Sequence, residues 1–175
     1  NYGLEMGETL HLVQDAAAVR ACKELCQEYL HLKGHNDVFT PVTLLHWMGA
    51  WPHDEAQAAA LVSYGGTLAA ISGATSVTTK TLHEAFGIPT PKANAEGLRM
   101  TRMAIYLARN IRLDSMPEFQ SEVDLIKREV RPIMNKILEM GDGDVAIGTV
   151  RAFEAGVLDH CISTPQTANE EEARL

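Results

Sequence analysis

Leu10, Val13, Ala17, Ala21 and Leu25 fall three or four residues apart, the spacing of one helical face, and predict a helix over residues 8–32. Gly34 and Asn36 end it. Residues 38–45 then read as a strand, with Pro41 inside it implying a bulge or a missing ladder bond. Asp54 starts a second helix, over residues 54–71, rich in small residues such as Ala58, Gly65, Gly66 and Ala69 that suit close packing on a sheet. Thr75, Ser76, Val77, Thr78 and Thr79 form a β-branched run of the kind found in buried strands. Lys80 stands where that run stops. A loop with Gly87 and Pro89 follows, and Thr90 with Pro91 reads as the N-cap and first-turn proline of a third helix, over residues 91–109.

Ser115-Met116-Pro117-Glu118 reads as a capping box that opens a fourth helix. Val123, Ile126, Val130, Ile133, Ile137 and Met140 make one apolar seam along it. Pro132 is expected to kink that helix near Arg128, and Gly141 to end it. Residues 144–150 read as another short strand. From Ser163 onward the chain is polar and carries Glu170, Glu171 and Glu172, which predicts a frayed tail over residues 163–175. Asn1, Tyr2 and Gly3 read as the end of a strand. There is no internal repeat.

Strand alternating with helix implies an α/β fold with a parallel sheet. Its 175 residues make one ordinary domain, and 46% hydrophobic with 22% charged residues describe a soluble globular protein. A net charge of −8 argues against a nucleic-acid partner, which asks for a basic surface. No apolar run approaches the roughly 20 residues that cross a bilayer, so no membrane is expected. Three cysteines do not make a disulfide framework, and a reducing, cytoplasmic compartment is the expectation.

In α/β folds, ligands bind beyond the carboxyl ends of the strands, and Lys80 occupies such an end. Lys80 and Glu84 admit two readings. One is an ordinary ion pair four residues apart, in the weaker lysine-first orientation. The other is a donor and an acceptor turned toward a ligand, and an imine-forming lysine is a further variant. Trp47, Met48 and Trp51, crowded before Pro52, form either a packed rim or an apolar lid. Metal sites are not expected. His31 and His35 are split by Gly34, and Cys22 and Cys26 have no second pair, so packing and solvation explain them better than zinc. His83 reads as a satisfied loop residue.

Lys80-Thr81-Leu82-His83-Glu84-Ala85-Phe86-Gly87-Ile88-Pro89-Thr90, followed by Lys92-Ala93-Asn94-Ala95-Glu96-Gly97, resembles the last barrel strand of the glutamate mutase (methylaspartate mutase) epsilon-subunit family. The likeness takes in His46-Trp47-Met48-Gly49-Ala50-Trp51-Pro52 and Asp144-Val145-Ala146-Ile147-Gly148-Thr149-Val150-Arg151-Ala152-Phe153-Glu154, and covers residues 14–159. It implies the closing portion of a (β/α)8 TIM barrel with a C-terminal helical extension, over residues 1–162. A whole barrel takes about 250 residues, so the barrel is incomplete in this chain.

The resemblance also implies an isomerase: an adenosylcobalamin-dependent radical mutase interconverting L-glutamate and L-threo-3-methylaspartate. Lys80, Glu84 and Ile88 match positions that hold the adenosyl part of the cofactor. Trp51 stands where the family places a cofactor-contacting phenylalanine, with Met48 on the same loop. No Asp-x-His-x-x-Gly stretch is present, so a small cobalamin-binding (sigma) subunit is expected to supply the cobalt-ligating histidine. The family's substrate-gripping arginines lie on early barrel strands, which another chain or segment is expected to supply. Arg99, Arg102, Arg109 and Arg112 lie on or past an outward-facing helix and are not assigned to substrate. A non-catalytic barrel remnant serving assembly, or a mutase with another amino-acid substrate, is the alternative.

Overall fold

The computed structural model describes residues 4–159, so the expected strand end at Asn1, Tyr2 and Gly3 and the expected tail over residues 163–175 lie outside the described residues. In chain order come β1 (Leu4–Gly7), α1 (Leu12–Leu32), β2 (Val42–Leu45), α2 (Glu55–Ser72), β3 (Ser76–Thr78), α3 (Pro91–Ala108), α4 (Pro117–Met140) and α5 (Val145–Glu154). The strands form one parallel sheet in the order β1-β2-β3. The fold class is α/β. Two compact units divide between Lys127 and Arg128.

In the first unit the period-two alternation of the strands sorts side chains onto two faces. Leu4, Met6, Val42, Leu44 and Val77 share one face, and α1 and α2 supply the other side of its core through Ala16, Ala17, Val19, Leu68, Ala69 and Ile71. Phe119 of α4 is fully buried in the same cluster. Burial of a side chain of this size contributes about 1.5–3 kcal/mol. The other face is different. Glu5, Gly7, Ser76 and Thr78 are exposed, and Thr43 and Leu45 only half-buried. The register places Glu5, Thr43 and Ser76 in one row, with the Thr43 and Ser76 hydroxyls 2.7 Å apart. Parallel sheets are normally covered on both faces, and this one is covered on one.

Asp54 caps α2 by accepting from the Gln57 amide at 2.9 Å, and Gly73 ends it in the left-handed region. Thr90 caps α3 through the Ala93 amide, with Pro91 in the first turn. Both caps follow the sequence expectation. Gly66 then lets α2 and α3 meet closely, because a Cβ there would stand 2.7 Å from the Thr101 carbonyl oxygen.

Four expectations are corrected. α1 begins at Leu12, not at residue 8, because the buried Asp15 carboxylate accepts from the amides of Thr9 and Leu10 and from the Thr9 hydroxyl. Leu10 is held at φ 69°, which no helix tolerates. The strand expected over residues 38–45 forms only at Val42–Leu45, after Pro41, whose missing N–H cannot join a ladder. Residues 144–150 form the start of helix α5. Asp144 accepts from the Ile147 amide at 3.0 Å, and a local cap outweighs the weak strand preference of Val145, Ile147 and Val150. α4 also starts at Pro117, so Ser115 lies one residue before the cap position. Pro132 lies inside α4, which runs on to Met140.

The second unit is a helical hairpin of the later part of α4 and α5, turned by Asp142 and Gly143 at positive φ. Two glycines let the turn close. A Cβ at Gly148 would stand 2.0 Å from the Ile137 carbonyl oxygen, and one at Gly141 would stand 1.9 Å from that of Asp144. Gly148→Ala gains at most about 1 kcal/mol of helix propensity but meets backbone that cannot yield, costing about 1–3 kcal/mol or more. The expected result is faster amide exchange across residues 137–152 with no change in α1 or β2. Unaltered exchange there refutes the close contact.

Candidate functional site

The carboxyl ends of the three strands gather Glu8, His46, Trp51, Lys80 and Glu84. At the opposite, amino end lies a cleft of about 460 Å³ lined by Arg20, Ile71, Thr75, Arg109, Arg112 and Asp114. Arg20 and Asp114 are paired across it at 2.8 Å. Parallel strands present their ligand loops at the other end, where Lys80 follows β3.

Lys80 is in phase with Ser76 and Thr78, the open face of the sheet, while Thr79 and Thr81 take the covered side. Thr79 shares a hydroxyl hydrogen bond with Thr101 of α3, and Thr81 is fully buried. α3 backs directly onto Lys80, since a Cβ at Gly97 would stand 2.5 Å from the Lys80 carbonyl oxygen. The main chain on both sides of Lys80 is therefore held from behind.

The Lys80 ammonium lies 3.6 Å from Glu84 Oε2 and 5.4 Å from the centre of the Trp51 ring. Glu84 opens a single 3₁₀ turn (Glu84–Phe86), and its other oxygen accepts from the Thr81 amide at 3.1 Å. The carboxylate is thus oriented by the loop, with one oxygen left toward Lys80. Both charged side chains are mostly buried. A cation over an indole face and beside a carboxylate presents donors and acceptors on an apolar floor.

Lys80, Glu84 and Trp51 come together. Met48 and Ile88 stand out from the protein, 62% and 100% exposed, and are not packed into that group. Phe86, also exposed, lies edge-on to His53 at 5.2 Å. Trp47 folds back over Gly49, and its indole N–H donates to the Ala50 carbonyl, which shapes the loop that carries Met48 and Trp51. Arg99, Arg102, Arg109 and Arg112 are all exposed. Among the described residues no three His, Cys, Asp or Glu side chains form a metal-holding group, and no helix is long and apolar enough to cross a membrane.

Two buried residues carry no role in the sequence reading. Glu8 is 5% exposed and His46 1% exposed. Glu8 Oε2 accepts from the Trp47 amide at 3.0 Å, and His46 Nδ1 accepts from the Lys80 amide at 3.2 Å. Burial pushes the Glu8 carboxyl up to about 7, with the Trp47 N–H opposing it and the Asp15 charge assisting. Burial lowers His46 to about 4, helped by Lys80 and opposed by Glu84. The signal that finds them is strand alternation: Glu8 is in phase with Leu4 and Met6, and His46 with Val42 and Leu44, so both fall on the covered face.

The family model for the methylaspartate mutase E chain (MutE) matches residues 1–174. The chain is 47% identical over 153 residues to the glutamate mutase epsilon subunit of Yersinia enterocolitica, covering 87% of this chain and 32% of that one. It is 44% identical over 153 residues to the protein of the same name from Escherichia coli O157:H7, with the same coverage. The archaeal counterpart from Haloarcula marismortui is 45% identical over 159 residues, 89% of this chain and 31% of its own length. The chain thus spans about a third of the length of the curated relatives it matches. Matched by that family model over nearly its whole length, the chain belongs to the methylaspartate mutase E chain family.

Proposed function

We propose that this chain is a portion of the catalytic subunit of an adenosylcobalamin-dependent mutase that interconverts L-glutamate and L-threo-3-methylaspartate. The observation that carries the reading is the Lys80–Glu84 pair over the Trp51 ring at the end of β3. Ribose hydroxyls both donate and accept hydrogen bonds, and an ammonium beside an oriented carboxylate offers both partners. The residues fit the group in a second respect: Trp51 Nε1 is a buried donor without a partner, and Met48 and Ile88 are exposed apolar side chains at the same rim. Lys80 and Glu84 would hold the ribose, with Trp51, Met48 and Ile88 covering the flat apolar parts of the cofactor. When bound, the cofactor supplies an adenosyl radical by homolysis of its cobalt–carbon bond. The chain's own share is to place the ribose and keep water from that reactive centre.

The open sheet face supports a barrel whose other strands come from a further segment or chain. The cobalt-ligating histidine would come from a small sigma-type subunit. The decisive experiment combines the full assembly with adenosylcobalamin and L-glutamate. Saturable binding that prefers adenosylcobalamin over a cobalamin without the adenosyl group, with formation of 3-methylaspartate, is the expected result. Native mass spectrometry should show the chain with its strand-supplying and cobalamin-binding partners. A complex that assembles normally but shows no preference for the adenosyl group leaves an assembly module as the better reading.

A further inference from the structure

Lys80 can serve a ligand only if its main chain stays where β3 delivers it. The last ladder bond of β2 and β3 runs from the His46 amide to the Thr78 carbonyl, at 3.4 Å. Beyond it, the Lys80 amide is held by a side chain: its N–H donates to His46 Nδ1. An acceptor Nδ1 in a neutral imidazole requires the proton on Nε2. His46 Nε2 is buried and makes no hydrogen bond, and neither does Glu8 Oε1. The two atoms flank one point. A Cβ on Gly65 of α2 would stand 2.4 Å from Glu8 Oε1 and 2.4 Å from His46 Nε2, so the atoms are at most twice that apart. Only a glycine on α2 leaves this notch open to both side chains. The second Glu8 oxygen is already engaged by the Trp47 amide, which leads the loop of Met48 and Trp51.

We infer that Glu8 and His46 are a pair of positioning residues facing one notch: His46 Nδ1 holds the Lys80 amide, Glu8 Oε2 holds the Trp47 amide, and the charge of Oε1 near Nε2 favours the Nε2–H tautomer without a hydrogen bond between them. One end of the pair sets the Trp47–Trp51 loop and the other sets Lys80, so a single buried unit places both components of the candidate site. The charged and titratable groups around it are Asp15, Tyr64, Lys80 and Glu84. The inference about ligand binding rests on the reading of Lys80 as the adenosyl-holding lysine, but the positioning itself stands on the hydrogen bonds.

Substitutions separate the two nitrogens. His46→Asn keeps an acceptor near Nδ1 for the Lys80 amide and loses the reach toward Glu8. Glu8→Gln keeps an acceptor for the Trp47 N–H and removes the charge near His46 Nε2. In the full assembly, selective ¹⁵N-histidine labelling of the wild type should show His46 protonated at Nε2 and bare at Nδ1. Amide exchange of the peptide over residues 77–82 should rise about tenfold in Glu8→Gln and less in His46→Asn. Preference for adenosylcobalamin over the adenosyl-free cobalamin should fall by about the same factor, following exchange and not thermal stability. A wild-type His46 protonated at Nδ1 overturns the inference without reference to any variant. Exchange and preference unchanged in Glu8→Gln, while Lys80→Ala abolishes the preference, overturns the inference and leaves the proposed function standing. No preference in the wild type, with exchange altered as expected, removes the proposed function and leaves the positioning pair.

Discussion

Lys80→Ala and Glu84→Ala are each expected to weaken adenosylcobalamin by about 10- to 150-fold in the full assembly, with little effect on a cobalamin that lacks the adenosyl group. A hydrogen bond to a charged group is worth about 1.5–3 kcal/mol, and that range sets the factor. The two changes are not independent. The ammonium and carboxylate lie 3.6 Å apart, so removing either leaves the other mostly buried with its charge uncompensated. The double variant should therefore lose less than the sum of the two. Turnover should fall at least as far as affinity, because a displaced ribose displaces the reacting carbon. An ordinary ion pair behaves differently. Each change would then cost under about 1 kcal/mol of stability and leave discrimination between the cobalamins intact. Binding titrations of both cobalamins on wild type and variants decide between the two outcomes.

The second large effect concerns acid stability, where Glu8 and His46 pull in opposite directions. Glu8 titrates near 7 in the folded protein against 4.5 in a free chain. The folded state thus keeps a proton that the unfolded chain has released, and this contribution is greatest below pH 4.5 and is lost as pH rises toward 7. His46 titrates near 4 against 6.5. The unfolded chain gains a proton that the folded state refuses, so this contribution is present above pH 6.5 and is lost as pH falls toward 4. Each amounts to about 3 kcal/mol. Between pH 4.5 and 6.5 the two nearly cancel in the wild type. Glu8→Gln should expose the histidine slope, with stability dropping steeply on acidification below pH 6.5. His46→Asn should expose the carboxyl slope, with stability declining from pH 4.5 to 7. Denaturant unfolding at a series of pH values measures both, and parallel curves for all three proteins would refute the opposed burial.

The pair also shows why one half of the site was legible in the sequence and the other was not. Lys80 is marked by its place after a β-branched run and before a capped helix, and Glu84 by its spacing from Lys80. Those are local signals, and the structure places the two side chains together. Trp51 is near Lys80 only because β2 and β3 are parallel neighbours, which puts the loops that follow them side by side. Glu8 was hidden for a different reason. The helical spacing of Leu10, Val13 and Ala17 runs back through it, so periodicity alone assigns it to a helix. What ends that pattern is Asp15, whose carboxylate ties down Thr9 and Leu10 across a gap that no propensity scale measures.

The sequence by itself determined the order of elements over most of the chain, the caps at Asp54 and Thr90, the family, and the place of β3 but not its burial, since Ser76 and Thr78 are exposed. Each depends on residues within a few positions of one another or on a long matched pattern. Tertiary structure decided three matters, the first of them with local help. Residues 144–150 became helix because the Asp144 cap starts the turn and Gly148 then seats α5 against the Ile137 carbonyl, which together outweigh the strand preference. One sheet face was left open, with Glu5, Gly7, Ser76 and Thr78 exposed, because α1 and α2 both pack on the other. Glu8 and His46, 38 positions apart in the chain, became neighbours because parallel pairing of β1 and β2 carries their strand ends to the same level, where Gly65 lets both side chains in.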